Sequence, residues 1–308
     1  MRPATDAAPT ESPIEPSTAA SSAMVATACP AATEAALEML RVGGNAADAA
    51  AAAAWALAVC EPSGSGLGGQ AIALVHLPDG TDLVVDGHSH GPESLTRRLV
   101  DRGQQRRGPR ATTVPSMPAT IGSIQARFGR LPLATTLAPA HRLADEGVVS
   151  LLRQTHPVVP VKGARVVSGD RLHLPSRRAS SRKGTLLRQA RLASTLSRLA
   201  TAGVEDFITA AWPETSSPTR EAQGGLLRSS DLSTPQAPAY REPIEIEHRG
   251  YRVERSAAGG GLQLLPGLTW RPPWGSMALR WTTPGMRVWR RSYGRSSGSV
   301  RIGRCNRT

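Results

Sequence analysis

The 308-residue chain is poor in cysteine, lysine and aromatic side chains, and it lacks long apolar runs. Its three cysteines are widely scattered and form no C-x-x-C pair, so the spacing predicts neither a zinc site nor a redox motif. Free thiols are the expectation. No apolar run is long enough to span a bilayer, and no apolar region follows the N-terminus as in a signal peptide. These absences predict a cytoplasmic protein with no metal and no membrane segment.

Acidic residues are missing from the end of the chain, which we call the basic tail (residues 266–308). The tail has nine Arg and no Asp or Glu, although the whole chain carries a net charge of +13. Four of the six Trp lie in it, without a helical or strand period. The tail is therefore predicted to be unstructured. Interleaved Arg and Trp could bind nucleic acid by charge and stacking, but no predicted fold presents them, so this function is an alternative only.

The rest of the chain divides into a leader and an ordered part. Residues 1–23 are rich in Pro, Ser, Thr and acids, which predicts a disordered leader. An amphipathic helix is predicted over Thr27–Arg41, with Gly43-Gly44 ending it. Asn45 can cap a second, alanine-rich helix that runs to Cys60. The stretch from 71 to 87 predicts two strands joined by a hairpin turn at "PDGT".

Further elements follow in the second half. Helices are predicted over Met117–Phe128 and Ala134–Glu146, and leucine spacing predicts an amphipathic helix within residues 186–208. Leu226–Leu232 is typical of a helix entry, and "EPIEIEHRGYRVERS" alternates like a strand hairpin turning at 248–250. Helices mixed with hairpins predict an α+β fold. Residues 97–110 are basic and predict a surface excursion, with an anion-binding patch as the alternative.

Gly64, Gly66 and Gly69 match the G-x-G-x-x-G pattern of dinucleotide-binding loops. That loop needs a strand before the glycines and a helix after them, because the pyrophosphate binds at the N-terminus of the helix. Here the predicted order is reversed, with a helix before and a strand after. The pattern therefore predicts a tight helix-to-strand turn, and no cofactor is expected.

Five blocks in order resemble the large subunit of gamma-glutamyltranspeptidases. The first is "MVATACPAATEAALEMLRVGGNAADAAAAAAWALAVCEPSGSGLGGQAIALVHLPDGTDLVVDG", and the second is "VPSMPATIGSIQARFGRLPLATTLAPAHRLADEG". The later blocks are "LLRQARLASTLSRLATAGVEDF", "GGLLRSSDLSTPQAPAYREPIEIEHRGYRV" and "SAAGGGLQLL". The resemblance covers residues 24–265 and predicts one large-subunit-like domain there.

The resemblance implies part of an N-terminal-nucleophile hydrolase fold, an αββα sandwich. It also implies a precursor that cleaves itself, after which the N-terminal Thr of the small subunit attacks a gamma-glutamyl amide, as in glutathione metabolism. Such a Thr is both nucleophile and base, because its own α-amine accepts the hydroxyl proton. The implied partners are a gamma-glutamyl or other acyl-amide small molecule and a small subunit.

One departure concerns substrate binding. The family motif "DGRE" supplies an Arg that holds the substrate carboxylate at two points. This chain has "DGHSHGP" over Asp86–Pro92, and His88 stands at the position of that Arg. His88 is therefore the candidate substrate-binding residue, although an imidazole makes at most one contact. The alternative is that His88 and His90 are ordinary polar residues of a loop.

A second departure is that the resemblance stops near Pro266. Thr282-Thr283 is followed by Pro284-Gly285, which cannot continue a central strand, so no catalytic residue is assigned. The expectation is a truncated, inactive family member whose tail is read out of frame, with disorder over 266–308. A large-subunit partner of a separately encoded small subunit is the remaining alternative.

Overall fold

The computed structural model describes residues 23–61, 64–96, 108–149, 186–211, 224–233, 237–248, 251–256 and 301–304, which form an α+β fold. The helices are α1 (Pro30–Arg41), α2 (Ala46–Cys60), α3 (Met117–Phe128), α4 (Leu133–Glu146) and α5 (Ala190–Ala202). The strands are β1 (Ala71–His76), β2 (Asp82–Gly87), β3 (Val148–Val149), β4 (Leu186–Leu187), β5 (Ala239–Arg241), β6 (Ile244–His248), β7 (Tyr251–Arg255) and β8 (Arg301–Arg304). None of the described helices is long and apolar enough to cross a membrane.

Helices α1 and α2 form the hairpin that the sequence predicts. The first begins at Pro30, three residues later than expected, because proline is suited to the first turn of a helix. Gly43 has φ 90°, a conformation that favours glycine, and it turns the chain after Arg41. The Asn45 side chain then accepts hydrogen bonds from the N–H groups of Ala47 and Asp48, which starts α2 as predicted.

Helix α2 is the centre of the molecule. Nine of its fifteen residues are buried, and they lie on all of its sides because it packs against α1, α3 and α4. Its many alanines let these neighbours approach closely. Trp55 and Val59 supply the bulk, and both are fully buried. The core around them continues through Val85, Leu137, Leu196 and Leu199.

Strands β1, β2 and β5 form an antiparallel sheet in the order β1-β2-β5, so that β1 lies at an edge among the strands that the structure describes. The predicted hairpin is confirmed, with Ala71 opposite Gly87 and His76 opposite Asp82. Ala71, Ala73, Val75 and Val85 pack into the core that the helices form. The helices therefore cover one face of this sheet.

Strands β6, β7 and β8 form a second antiparallel sheet, and the predicted hairpin turns with His248 opposite Tyr251. Arg252 on β7 donates a hydrogen bond of 3.0 Å to Asp82 on β2, which joins the two sheets. Burial, together with the neighbouring Asp82 carboxylate, raises the pKa of Glu254 on β7. Two adjoining sheets with helices on one of them are part of an αββα sandwich.

Two sequence predictions are wrong in detail. Leu187 does not belong to the amphipathic helix, because β4 pairs with β3 and α5 starts only at Ala190. Gly147, with φ 101°, ends α4 directly before β3. Leu186 and Leu187, which leucine spacing assigns to a helix, form a strand instead because they pair with β3. In the basic tail, Arg301–Arg304 pair with β7 rather than being unstructured, since any extended segment can complete a strand edge.

The remaining predictions fall outside the described residues. These are the disordered leader, the basic excursion over 97–107, and residues 266–300 and 305–308 of the tail.

Candidate functional site

The glycine turn (residues 64–70) lies between the end of α2 and the start of β1, as the sequence predicts. Its Gly69 carbonyl accepts hydrogen bonds from the N–H groups of Ser116 (3.0 Å) and Met117 (3.1 Å) at the start of α3. Protein atoms therefore satisfy these two amides at the start of α3, and the contact holds the turn against that helix. A cavity of about 550 Å³ lies beside the turn. Its walls are Ala54, Leu57, Gly64, Ser65, Gly66, Gly68, Gly69, Gln70, Ala71, Met117 and Ile121.

The post-β2 loop (Asp86–Pro92) begins in close contact with α3. The Ser116 hydroxyl donates a hydrogen bond of 2.6 Å to the Gly87 carbonyl, in a buried position. A Cβ on residue 87 would lie 1.9 Å from Thr120 Oγ1, so only glycine fits. This contact fixes where the loop leaves the sheet.

The Asp86 carboxylate, at the base of the post-β2 loop, contacts the His88 imidazole and the Arg241 guanidinium. Its Oδ1 lies 2.7 Å from His88 Nδ1, and its Oδ2 accepts a hydrogen bond of 3.1 Å from Arg241 Nε on β5. The hydrogen bond with His88 is the main reason that the pKa of Asp86 is lowered, and Arg241 adds to it. An ionised carboxylate thus orients an imidazole that is one-third exposed and a guanidinium that is more than half exposed.

Other contacts tie the loop to the cavity and to a distant segment. Gln70 Oε1 accepts hydrogen bonds from the Ser89 N–H (2.9 Å) and hydroxyl (3.0 Å), so the loop borders the glycine turn. His90 contributes its backbone carbonyl, which accepts from the Val114 N–H at 2.9 Å. Asp231 Oδ1 accepts from the Glu93 N–H at 2.8 Å.

Asp231 belongs to Leu226–Leu232, the segment predicted as a helix entry. That segment forms a single 3₁₀ turn at Ser229–Leu232, with the N–H of Arg228 also donating to Asp231.

His88, which the sequence predicts to bind substrate, contacts Asp86 in the structure, and its role stays a prediction. The sequence misses Arg241, Asp231 and Gln70, which no short-range pattern marks. A guanidinium and an imidazole held by one carboxylate can bind an anionic group such as a second carboxylate. Within the described residues, no group of three or more His, Cys, Asp and Glu side chains is arranged to hold a metal ion.

Comparisons with known proteins agree with this architecture. A family model described as Gamma-glutamyltranspeptidase matches residues 32–268. The glutathione hydrolase proenzyme of Escherichia coli (strain K12) is 28% identical over 262 residues, which cover 79% of this chain and 43% of that protein. The acylase ACY 1 proenzyme of Pseudomonas sp. (strain SE83) is 31% identical over 245 residues, covering 75% and 44%.

Among solved structures, Helicobacter pylori gamma-glutamyltranspeptidase superposes with a TM-score of 0.72 at 25% identity, covering 82% of this chain and 75% of that chain. The chain spans less than half the length of the two curated relatives. Its fold is part of the N-terminal-nucleophile hydrolase architecture, as the resemblance implies. The family match includes both the glycine turn and the post-β2 loop, and the chain belongs to the gamma-glutamyltranspeptidase family.

Proposed function

We propose that this chain is the substrate-binding scaffold of an enzyme that hydrolyses or transfers a gamma-glutamyl or related acyl amide. The observation that carries the proposal is the Asp86–His88–Arg241 cluster, which lies within the residues that match the family. The attacking threonine belongs to a small subunit outside this match. Such a subunit is the proposed protein partner.

His88 sets the proposed substrate preference. With Nδ1 hydrogen-bonded to Asp86, the ring donates from Nε2 to a carboxylate only as an imidazolium and then at one point, whereas an Arg offers two parallel donors. A weaker hold on the α-carboxylate of a gamma-glutamyl group admits other acyl groups as well. The likeness to an acylase proenzyme supports this wider range.

The first test is turnover of a chromogenic gamma-glutamyl amide by the purified 308-residue chain. We expect none, and we expect hydrolysis to appear when the small subunit of a relative is added. The nucleophile is in that subunit, so the added subunit without this chain is the matched control. Turnover by the chain alone, with an acyl adduct on one of its threonines, would contradict the proposal.

The second test concerns His88 and uses binding instead of turnover. His88→Arg is expected to tighten the binding of L-glutamate about tenfold, because one contact becomes a bidentate pair. Titration calorimetry or NMR chemical shifts measure the Kd. His76→Arg is the control, since His76 lies at the other end of the β1–β2 hairpin, against Asp82. Equal affinity of both variants would show that residue 88 does not contact the carboxylate.

We propose the cytoplasm as the location. The sequence supports it through its few, scattered cysteines.

A further inference from the structure

The α1–α2 hairpin brings two cysteines together that the sequence keeps apart. Cys29 lies directly before α1, and Cys60 is the last residue of α2. The chain reverses at Gly43-Gly44, so the two cysteines are almost equally distant from the turn. In two antiparallel helices, residues equally distant from the connecting turn lie side by side.

The packing at this end of the hairpin confirms the proximity. Cys29 is 7% exposed and belongs to a small cluster with Ala32, Ala35 and Ala56, and the half-buried Cys60 packs against the same cluster. Alanine side chains leave the helices free to approach closely. Both thiols are free.

The backbone of Cys29 is held in place. Its carbonyl accepts hydrogen bonds from the N–H groups of Ala32 (3.0 Å) and Thr33 (3.1 Å), and its side chain makes no capping hydrogen bond to α1. Pro30 restricts the chain further. The thiol is therefore presented to Cys60 from a fixed position.

We propose that Cys29 and Cys60 form a redox modification site that closes to an intramolecular disulfide with a low-molecular-weight disulfide, such as oxidised glutathione. The more exposed Cys60 attacks as thiolate, forms a mixed disulfide and releases one glutathione thiolate. Cys29 then attacks the Cys60 sulfur and releases the second. The two protein thiols lose two protons, which the two released thiolates take up, and two electrons pass to the glutathione disulfide.

The surroundings control how fast the site reacts. Burial, followed by the neighbouring Cys29 thiol, raises the pKa of Cys60 to about 12. Few Cys60 thiolates exist at neutral pH, so the rate of closure rises roughly tenfold per pH unit up to that pKa. In a reducing cytoplasm the pair stays open, whereas an oxidising compartment closes it over time.

The test incubates the whole chain with oxidised glutathione at several pH values and follows its intact mass. We expect a loss of two hydrogen atoms and, after tryptic digestion without reductant, a cross-link between peptide 1–41 and peptide 42–97. Closure should raise Tm by roughly 5–10 °C, because a cross-link restricts the unfolded chain, and dithiothreitol should reverse the shift.

Variants separate this pair from the third cysteine. Cys305→Ser should keep the cross-link and the Tm shift, while Cys29→Ala and Cys60→Ser should each lose both. A cross-link that involves Cys305, or stable mixed disulfides at Cys29 and Cys60 without closure, would overturn the proposal. So would closure that requires urea, since the folded hairpin would then not present the two thiols to each other.

Discussion

Replacing Asp48 by asparagine is expected to lower the free energy of unfolding by about 3–5 kcal/mol at pH 7. The Asp48 carboxylate is completely buried at the start of α2. It accepts hydrogen bonds from the N–H groups of Asn45 (2.9 Å), Arg130 (2.9 Å) and Leu131 (3.2 Å), and so ties α2 to the segment after α3. The NH₂ group of an asparagine is itself a donor and would point at the backbone N–H groups. Some of these buried N–H groups would then have no acceptor.

The loss should depend on pH in a definite direction. Burial alone would raise the pKa of Asp48, but the hydrogen bonds from the three N–H groups outweigh it and hold the pKa below its ordinary value of 3.8. The stability that the carboxylate contributes is therefore present above that value and is lost as the pH falls through the folded-state pKa. The difference between wild type and Asp48→Asn should shrink at acid pH.

Urea unfolding of both proteins at a series of pH values measures this effect, and Asp79→Asn is its control. Asp79 lies in the exposed β1–β2 turn, where its carboxylate accepts from the Thr81 N–H. Because water can replace that exposed hydrogen bond, its replacement should cost much less stability than the replacement of Asp48. If the two variants lost equal stability, or if the loss at Asp48 did not change with pH, the assigned role of Asp48 would be wrong.

Replacing Arg255 by methionine is expected to do the opposite and to raise the free energy of unfolding by about 1–3 kcal/mol. Arg255 is only 5% exposed, at the end of β7. Within the described residues its three guanidinium nitrogens have no hydrogen-bond partner, and burial lowers its pKa. Methionine keeps the length and the apolar stem of the side chain and removes the buried charge.

Arg252→Met is the matched control three residues earlier on the same strand. Arg252 pairs with Asp82, Glu245 and Glu254, so its removal leaves carboxyl groups without their cation. That variant should lose about 1–3 kcal/mol. Thermal or urea unfolding of the two variants side by side gives changes of opposite sign, and a loss of stability at Arg255 would mean that its charge has a partner.

The sequence predicts the parts of the fold that local signals determine. Gly43-Gly44 with Asn45 indicates the helical hairpin, and "PDGT" indicates the β1–β2 turn, because each signal acts over a few residues. The start of α5 is not determined locally. Leu187 fits the leucine spacing of the helix. Its conformation is determined instead by pairing with Val148, which is distant in the sequence.

The candidate site divides in the same way. His88 is predicted because its position in "DGHSHGP" corresponds to that of a family Arg. Arg241 cannot be predicted, since its contact with Asp86 depends on the pairing of β2 with β5, in which Asp86 lies opposite Ala239. Two partners of Asp48, Arg130 and Leu131, are likewise more than eighty residues away. Long-range pairing, rather than residue type, selects these groups.

Among the described strands β1 lies at an edge of its sheet, and this position determines how another strand could join the molecule. Along an edge strand, backbone N–H and C=O groups point outward and will accept an extended segment of almost any sequence. Selectivity must then come from the side chains above and below, where Ile72 is already 38% exposed. A joining strand that alternates large apolar and small side chains would pair in a single register. A shift by one residue would move its apolar side chains to the face opposite Ile72.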